Sequence, residues 1–441
     1  MLEGRKYLIV MDDIWGVEAW NDIHRSFPNE FKGSKVLFTS RLLVQLDSVC
    51  NVTHHLAPLS QNSCWDLLQI KHRRLFTGHQ FFEKFSLGPQ NLRSFLCLSL
   101  VERDESRVEK NLSFFVKNFE LLRVLSLQHG KWDKKVHGGH LVHLRYSSIA
   151  YKFYGVCALP SSNFLNLETL NLESTETLIN LPCDIFKMVK LRHLYTKDGV
   201  FTFHLSSQEA GRNGFDCSSK LDSLQTLHQI CACEACRSFL VRAPNLRKLG
   251  LHGGKITNDK VLRLPDLEFL ECLETLTFTR PWDSLRKSTL PPGLKLPPTI
   301  TRITLKNTRS KWDELSLLQT LPNLEVLKLI DDACCGPVWN TSELEGFPQL
   351  KYLRFYYMDF KEWIASEDQF PKLEVLALEH CRKLERIPIA FDNLNELREI
   401  KLEWGRRSAE ESAKEIQEEQ RNRKGDDDCL NLLAKDNSWL W

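Results

Sequence analysis

The sequence predicts an α/β protein whose main body is a solenoid of stacked strand-and-return units, preceded by part of a parallel α/β sheet. Two observations predict this. The first is a leucine pattern that returns about every 25 residues. Leu324-Glu325-Val326-Leu327-Lys328-Leu329 is one unit and Leu373-Glu374-Val375-Leu376-Ala377-Leu378 another, with apolar residues at positions 1, 4 and 6 and variable residues at 2, 3 and 5. The second is the texture of residues 1–71, where continuous apolar runs alternate with amphipathic stretches.

The repeats carry most of the chain. Their first apolar residues are Leu122, Leu141, Leu167, Leu191, Leu224, Leu246, Leu273, Ile300, Leu324, Leu350, Leu373 and Leu397, so eleven intervals span 275 residues with a mean of 25. That period lies in the leucine-rich-repeat range, where each unit is a short strand plus a return segment lining a horseshoe. One unit cannot bury its own leucines, so neighbours must stack. The intervals vary from 19 to 33 residues. This irregularity suits a cytoplasmic repeat better than a regular extracellular one.

Composition excludes several classes. A net charge of +2 gives no electrostatic basis for nucleic acid as a partner. No apolar run approaches the ~18 residues of a transmembrane segment, and the start Met1-Leu2-Glu3-Gly4-Arg5-Lys6 has no signal-peptide pattern. The fourteen cysteines are then expected to be free thiols of a cytoplasmic protein, free or peripheral at a membrane.

In chain order, Tyr7-Leu8-Ile9-Val10-Met11 reads as a strand buried on both faces and ends in Asp12-Asp13. Carboxylates at the C-terminal end of such a strand sit where α/β proteins bind ligands. Gly16 to Phe27 reads as an amphipathic helix, Lys35-Val36-Leu37-Phe38-Thr39 as a second strand ending at Ser40-Arg41, and Leu42 to Val49 as helical. Ser60 or Asn62 can cap a helix through Trp65, Leu67 and Leu68 to about Lys71.

Three stretches carry a resemblance. Lys6 to Trp15 (Lys-Tyr-Leu-Ile-Val-Met-Asp-Asp-Ile-Trp) looks like the Walker B, or kinase-2, motif of plant NB-ARC immune receptors. Gly33 to Arg41 resembles their RNBS-B motif, and Leu56-Ala57-Pro58-Leu59-Ser60 with Cys64-Trp65-Asp66-Leu67-Leu68 resembles RNBS-C. With the repeats downstream, the chain resembles the late-blight-resistance type of coiled-coil NB-ARC leucine-rich-repeat receptor. The resemblance implies a P-loop NTPase-like fold for residues 1–71 and an ADP/ATP switch with Mg²⁺. It implies that Asp12 holds Mg²⁺ through water, that Asp13 orients or activates the attacking water, and that Arg41 senses the γ-phosphate.

The departures limit that chemistry. No Gly-x-x-x-x-Gly-Lys-Ser/Thr occurs, so no loop supplies the N–H cradle and lysine for the phosphates. The family's coiled coil, Gly-Leu-Pro-Leu stretch, winged-helix region and Met-His-Asp motif have no counterpart, and after Lys71 the chain passes directly to His72-Arg73-Arg74-Leu75. The expectation is a partial nucleotide-binding remnant over 1–71, truncated at its N-terminus and by an internal deletion near 71. It should be loosely folded or lean on the first repeats, because Ile9, Val10 and Val36 need cover on both faces and the strands that should flank them are missing.

Residues 72–90 read as a junction, 91–404 as the repeat domain with a leading strand near Asn91 to Cys97, and 405–441 as a charged helix with a disordered tail. The helix, Glu410 to Gln420, reads as an end cap touching the core through Ala413 and Ile416. A protruding loop is expected from Asp198 to Ser219. Position 5 of the units faces the concave surface and includes Arg145, Lys328, Arg354 and Lys401, which reads either as a solvated strand face or as a mildly basic partner-binding face towards the C-terminal half, around Lys328, Tyr352, Arg354 and Lys401. Cys231, Cys233 and Cys236, with Cys217 and His228 nearby, form the best metal candidate, but only Cys233 and Cys236 have zinc-knuckle spacing, and a loop cysteine cluster is preferred. No Gly-x-Ser-x-Gly elbow or His-Glu-x-x-His pattern supports an enzyme.

Two functional readings stand. The first is a non-enzymatic disease-resistance homologue that acts through its repeats on pathogen effectors, host proteins or other receptor chains of its class. The second is a working ADP/ATP switch with weak ATPase activity that needs a phosphate-binding loop from elsewhere. A third outcome, a gene product without function, stays open beside them.

Overall fold

The computed structural model describes residues 8–11, 35–39, 52, 74–77, 93–99, 120–127, 141–151, 164–174, 178–197, 199–203, 219–232, 234–253, 266–280, 294–341, 346–425 and 430–435. They belong to two units, residues 1–67 and 68–441.

In the first unit, Leu8–Met11 and Lys35–Phe38 form a parallel pair, registered from Leu8 opposite Lys35 to Met11 opposite Phe38. Apolar runs of this kind are suited to burial on both faces. Here Val10 and Leu37 are 56% and 53% exposed, so each keeps only part of the burial free energy its sequence is built to gain. Asp12, Asp13 and Arg41 lie outside the described residues, as do the expected helices of this segment.

Among the described residues the second unit is built on a parallel sheet of seventeen strands, with two small two-stranded sheets beside it. From Lys248–His252 to Glu399–Glu403 each strand pairs with the next in full register, one strand per repeat. The strands show why the leucine pattern folds this way. Alternate residues point inward, and Leu327, Leu329, Leu353, Leu376 and Ile400 are wholly buried while the residues between them face out. A tight turn precedes most units, in which position 1 donates its N–H to the carbonyl three residues back, as from Leu350 to Phe347 and from Leu373 to Phe370. That earlier residue is buried too. Polar side chains beside the turn tie each repeat to the one before. Asn166 donates to Val142 O (2.7 Å), Asn245 to Asp222 O (2.8 Å) and Asn323 to Pro298 O (2.9 Å), which satisfies carbonyls the strands leave unpaired.

The return segments add an aromatic layer. Trp339 stacks between Trp312 (5.0 Å) and Trp363 (5.1 Å), and Phe355, Phe370 and Phe391 close around them.

Several expectations change. The unit assigned to Leu141 begins at Leu144, since Tyr146 pairs with Thr169 and Ser147 with Leu170. Leu141 is buried in the preceding turn. The frame was hidden because Ser147 occupies a core position where other units carry leucine. Arg145 is therefore at position 2, and Ser148 takes position 5. The stretch expected as a loop contains a strand, Val200–Phe203, paired with Leu178–Leu181. Phe201 and Phe203 are fully buried, Phe203 packing on Phe186 and Phe239, and that burial outweighs the loop-like residues around it; residues 204–218 lie outside the described set.

At the start of the array Ser94–Ser99 is a strand as expected, and Arg74–Thr77, inside the stretch read as a junction, pairs with it. At the other end the helix Arg407–Lys424 does bury Ala413 and Ile416. It is a return segment rather than a terminal cap, because Asn431–Lys435, in the tail expected to be disordered, adds one more strand to Glu399–Glu403. Gln420 donates to the carbonyls of Phe391 (3.1 Å) and Leu394 (3.2 Å), and Ser412 accepts from Ile387 N–H (3.0 Å). The expectation missed this because the strand is only Asn-Leu-Leu-Ala-Lys, too short to show a period alone.

Candidate partner-binding surface

In-register pairing turns each outward position into a column across the array. Lys328 is opposite Arg354, Arg354 opposite Ala377, and Ala377 opposite Lys401. Adjacent columns hold Val326, Tyr352, Val375 and Glu399 on one side and Ile330, Tyr356, Glu379 and Glu403 on the other. Neighbouring strands lie ~4.8 Å apart, so Lys328 to Lys401 spans about 15 Å. Four of the expected residues, Lys328, Tyr352, Arg354 and Lys401, thus share one face. Arg145 does not join their column.

The charges are largely satisfied within the face. Arg354 grips Glu379 with both ends of its fork, Nε to Oε1 at 3.0 Å and Nη2 to Oε2 at 2.5 Å. Hydrogen bonding to Glu379 raises the arginine's pKa further, against the opposing effect of burial. Lys401 meets Glu399 of its own strand at 3.4 Å. Arg145 meets Glu168 at 3.3 Å, with both side chains well exposed. Lys328 has no carboxylate partner among the described residues and lies 5.7 Å from the centre of the Tyr352 ring. Position 5 alone suggested a basic face, but the acids that offset it stand in the adjacent columns on either side. Arg354 and Glu379 are 25 residues apart, a spacing that only the repeat register makes into a contact.

One further column was not anticipated. The residue after each strand, Asn307, Asp331, Tyr357, His380 and Trp404, takes a left-handed backbone conformation in five successive repeats, with φ between 51° and 57°. Its N–H still bonds to the next repeat, Tyr357 to Glu379 O (3.0 Å) and His380 to Glu403 O (2.7 Å). Tyr357, His380 and Trp404 stack with rings within 6° of parallel, at 4.1 and 5.8 Å. The signal for this column in the sequence is the aromatic or Asn/Asp residue two places after position 6.

Among the described residues no three His, Cys, Asp or Glu side chains gather to hold a metal. Cys231 and Cys236 are buried, and the Cys236 thiol donates to the Cys231 carbonyl, which is structural use; Cys217 and Cys233 lie outside the described residues. No described residue forms a phosphate cradle, so the ADP/ATP and Mg²⁺ site implied for Asp12, Asp13 and Arg41 has no described geometry. What the first unit does show is that its two strands run parallel and end side by side at Met11 and Phe38, just before the carboxylates and Thr39. No described helix is long and apolar enough to cross a membrane.

Comparison with known proteins agrees with both units. The NB-ARC domain model matches residues 1–74. The late blight resistance protein R1-A of Solanum demissum is 33% identical over 331 residues, covering 70% of this chain and 23% of that protein. Its homologue R1B-16 is 33% identical over 369 residues, covering 79% and 26%. Homologue R1B-13 is 28% identical over 512 residues, covering 94% and 42%. That last alignment is longer than the 441-residue chain, so the homologue carries residues within the aligned span that have no counterpart here. The chain spans less than half the length of each of these relatives. From its motifs, its repeats and these relatives, the chain belongs to the late blight resistance family of plant NB-ARC leucine-rich-repeat disease resistance proteins.

Proposed function

We propose that this chain serves plant defence as a non-enzymatic protein-binding member of its family, with the repeat array as its working part. The observation that carries the reading is the unbroken register from Lys248 to Lys435, which builds a continuous outward face. Lys328, Tyr352, Arg354 and Lys401 stand there beside one another. Extended concave faces of this kind are what repeat proteins use to bind partners. The partner is a pathogen effector, a host protein or another receptor chain. In this reading the segment that matches the NB-ARC domain, residues 1–74, is not the working part.

Two experiments test this. Calorimetry of the full chain with Mg-ADP should give no binding; micromolar binding would establish the rival reading, a functional ADP/ATP switch. Cross-linking in leaf tissue should give partner adducts that Lys328→Glu with Arg354→Glu removes and that Lys311→Glu, on an outer strand, leaves intact. Equal loss with both variants would contradict the reading.

A further inference from the structure

The left-handed column separates a requirement of the fold from a choice of side chain. In five successive repeats the strand leaves the sheet through a residue at positive φ, and at Asn307 and Asp331 the chain uses side chains that tolerate it well. At Tyr357, His380 and Trp404 it places bulky rings in the same conformation, in three consecutive repeats. Histidine tolerates this conformation as Asn and Asp do, whereas tyrosine and tryptophan do not, and backbone conformations held by unsuited residues gather at functional positions. The rings lie along the edge of the face described above. Tyr357 is 45% exposed, His380 and Trp404 are half-buried, and Tyr356 packs edge-on against Tyr357 at 4.8 Å. Arg354 reaches over Tyr356 at 5.1 Å, which joins the aromatic edge to the charged column.

Tyrosine, tryptophan and arginine clustered in this way are the residues that dominate protein–protein binding. The charge next to them narrows the partner. Three acids of the face are paired, Glu379 with Arg354, Glu399 with Lys401 and Asp331 with Lys306, and Glu403 stands in the same column as Glu379. Lys328 and, one strand earlier, Arg302 have no carboxylate partner among the described residues, and neither does Lys248, two strands further along Arg302's column.

The geometry points to an acidic peptide segment of a partner protein as the occupant, with an aromatic or large aliphatic side chain seated on Tyr357, His380 and Trp404. Its carboxylates would face Lys328 and Arg302, about 15–20 Å along the array from Trp404 at ~4.8 Å per strand. This rests on the protein-binding reading above and assigns the contact to the aromatic edge rather than to the basic column alone.

The test uses the full chain as bait for a display library of random linear peptides. Selected peptides should be net acidic with an aromatic, leucine or methionine anchor. Trp404→Asn and Tyr357→Asn should each weaken them about tenfold or more. Asparagine suits the left-handed backbone, so these variants should unfold at the temperature of the unmodified chain. Lys328→Glu should weaken binding several-fold and Lys311→Glu should not. Peptides sensitive to Lys328→Glu but indifferent to Trp404→Asn and Tyr357→Asn would overturn the aromatic edge and leave the basic face standing. Peptides indifferent to all of them would overturn both. Net basic peptides, no enrichment, or a clear fall in melting temperature in the asparagine variants would each overturn the aromatic-edge assignment.

Discussion

The two units use the same local device, a parallel strand of alternating or continuous apolar residues, with opposite results. In the repeat array Leu353 has a strand on either side and a return segment behind it, and it is wholly buried. In the first unit Val10 sits in a pair of strands and is 56% exposed. Strand-forming sequence alone therefore does not make a stable sheet; cover on both faces does. Repetition supplies that cover automatically, since each unit is its neighbour's partner.

The largest expected effect probes this contrast directly. Leu353→Ala should cost about 2–5 kcal/mol in urea unfolding of the array, the range for a large-to-small change in a closed core. Val10→Ala should leave the main transition unchanged. Comparable losses from both would show that the first unit contributes to the cooperative core.

A smaller effect separates two kinds of ion pair on the array. Arg354 and Glu379 are 28% and 17% exposed, and they meet in a two-pronged contact. A double-mutant cycle with Arg354→Met and Glu379→Gln should give a coupling near 1 kcal/mol. Arg145 and Glu168, at 44% and 42% exposed, should give about half that or less. Equal couplings would remove the distinction between the two ends of the face.

The pattern of what the sequence disclosed follows from the same physics. Leucine positions were legible because burial at 1, 4 and 6 is local and repeats. The frame at Leu144 was not, because Ser147 breaks the pattern and the buried Leu141 in the turn imitates a first position. Arg354 and Lys401 could be placed on the outer face from position 5. Their neutralising partners could not, because a column is defined across repeats of unequal length. The aromatic edge was missed because it depends on a backbone conformation rather than on hydropathy. Asp12, Asp13 and Arg41 identify the family through sequence order alone.

The smallest expected effect is on pH dependence. Burial lowers the pKa of His252 below 6.5, and burial first, then Arg192 and Lys248, does the same for His193. The unfolded chain takes up these protons as pH falls through 6.5 while the folded array resists them. The histidine contribution to stability is therefore full above pH 6.5 and is lost below it. His252→Gln should flatten part of the fall in melting temperature between pH 7.5 and pH 5.5, values chosen to bracket the ordinary histidine range. An unchanged fall would place the acid sensitivity elsewhere.

The central claim is that the repeats form a self-sufficient module and that the nucleotide-binding piece ahead of them does not. Limited proteolysis of the full chain, read by intact mass, tests this most directly. The account predicts rapid cutting within residues 1–67 and survival of a fragment that carries the array through its strand at Asn431–Lys435. A first unit that resists protease as long as the repeats would contradict it.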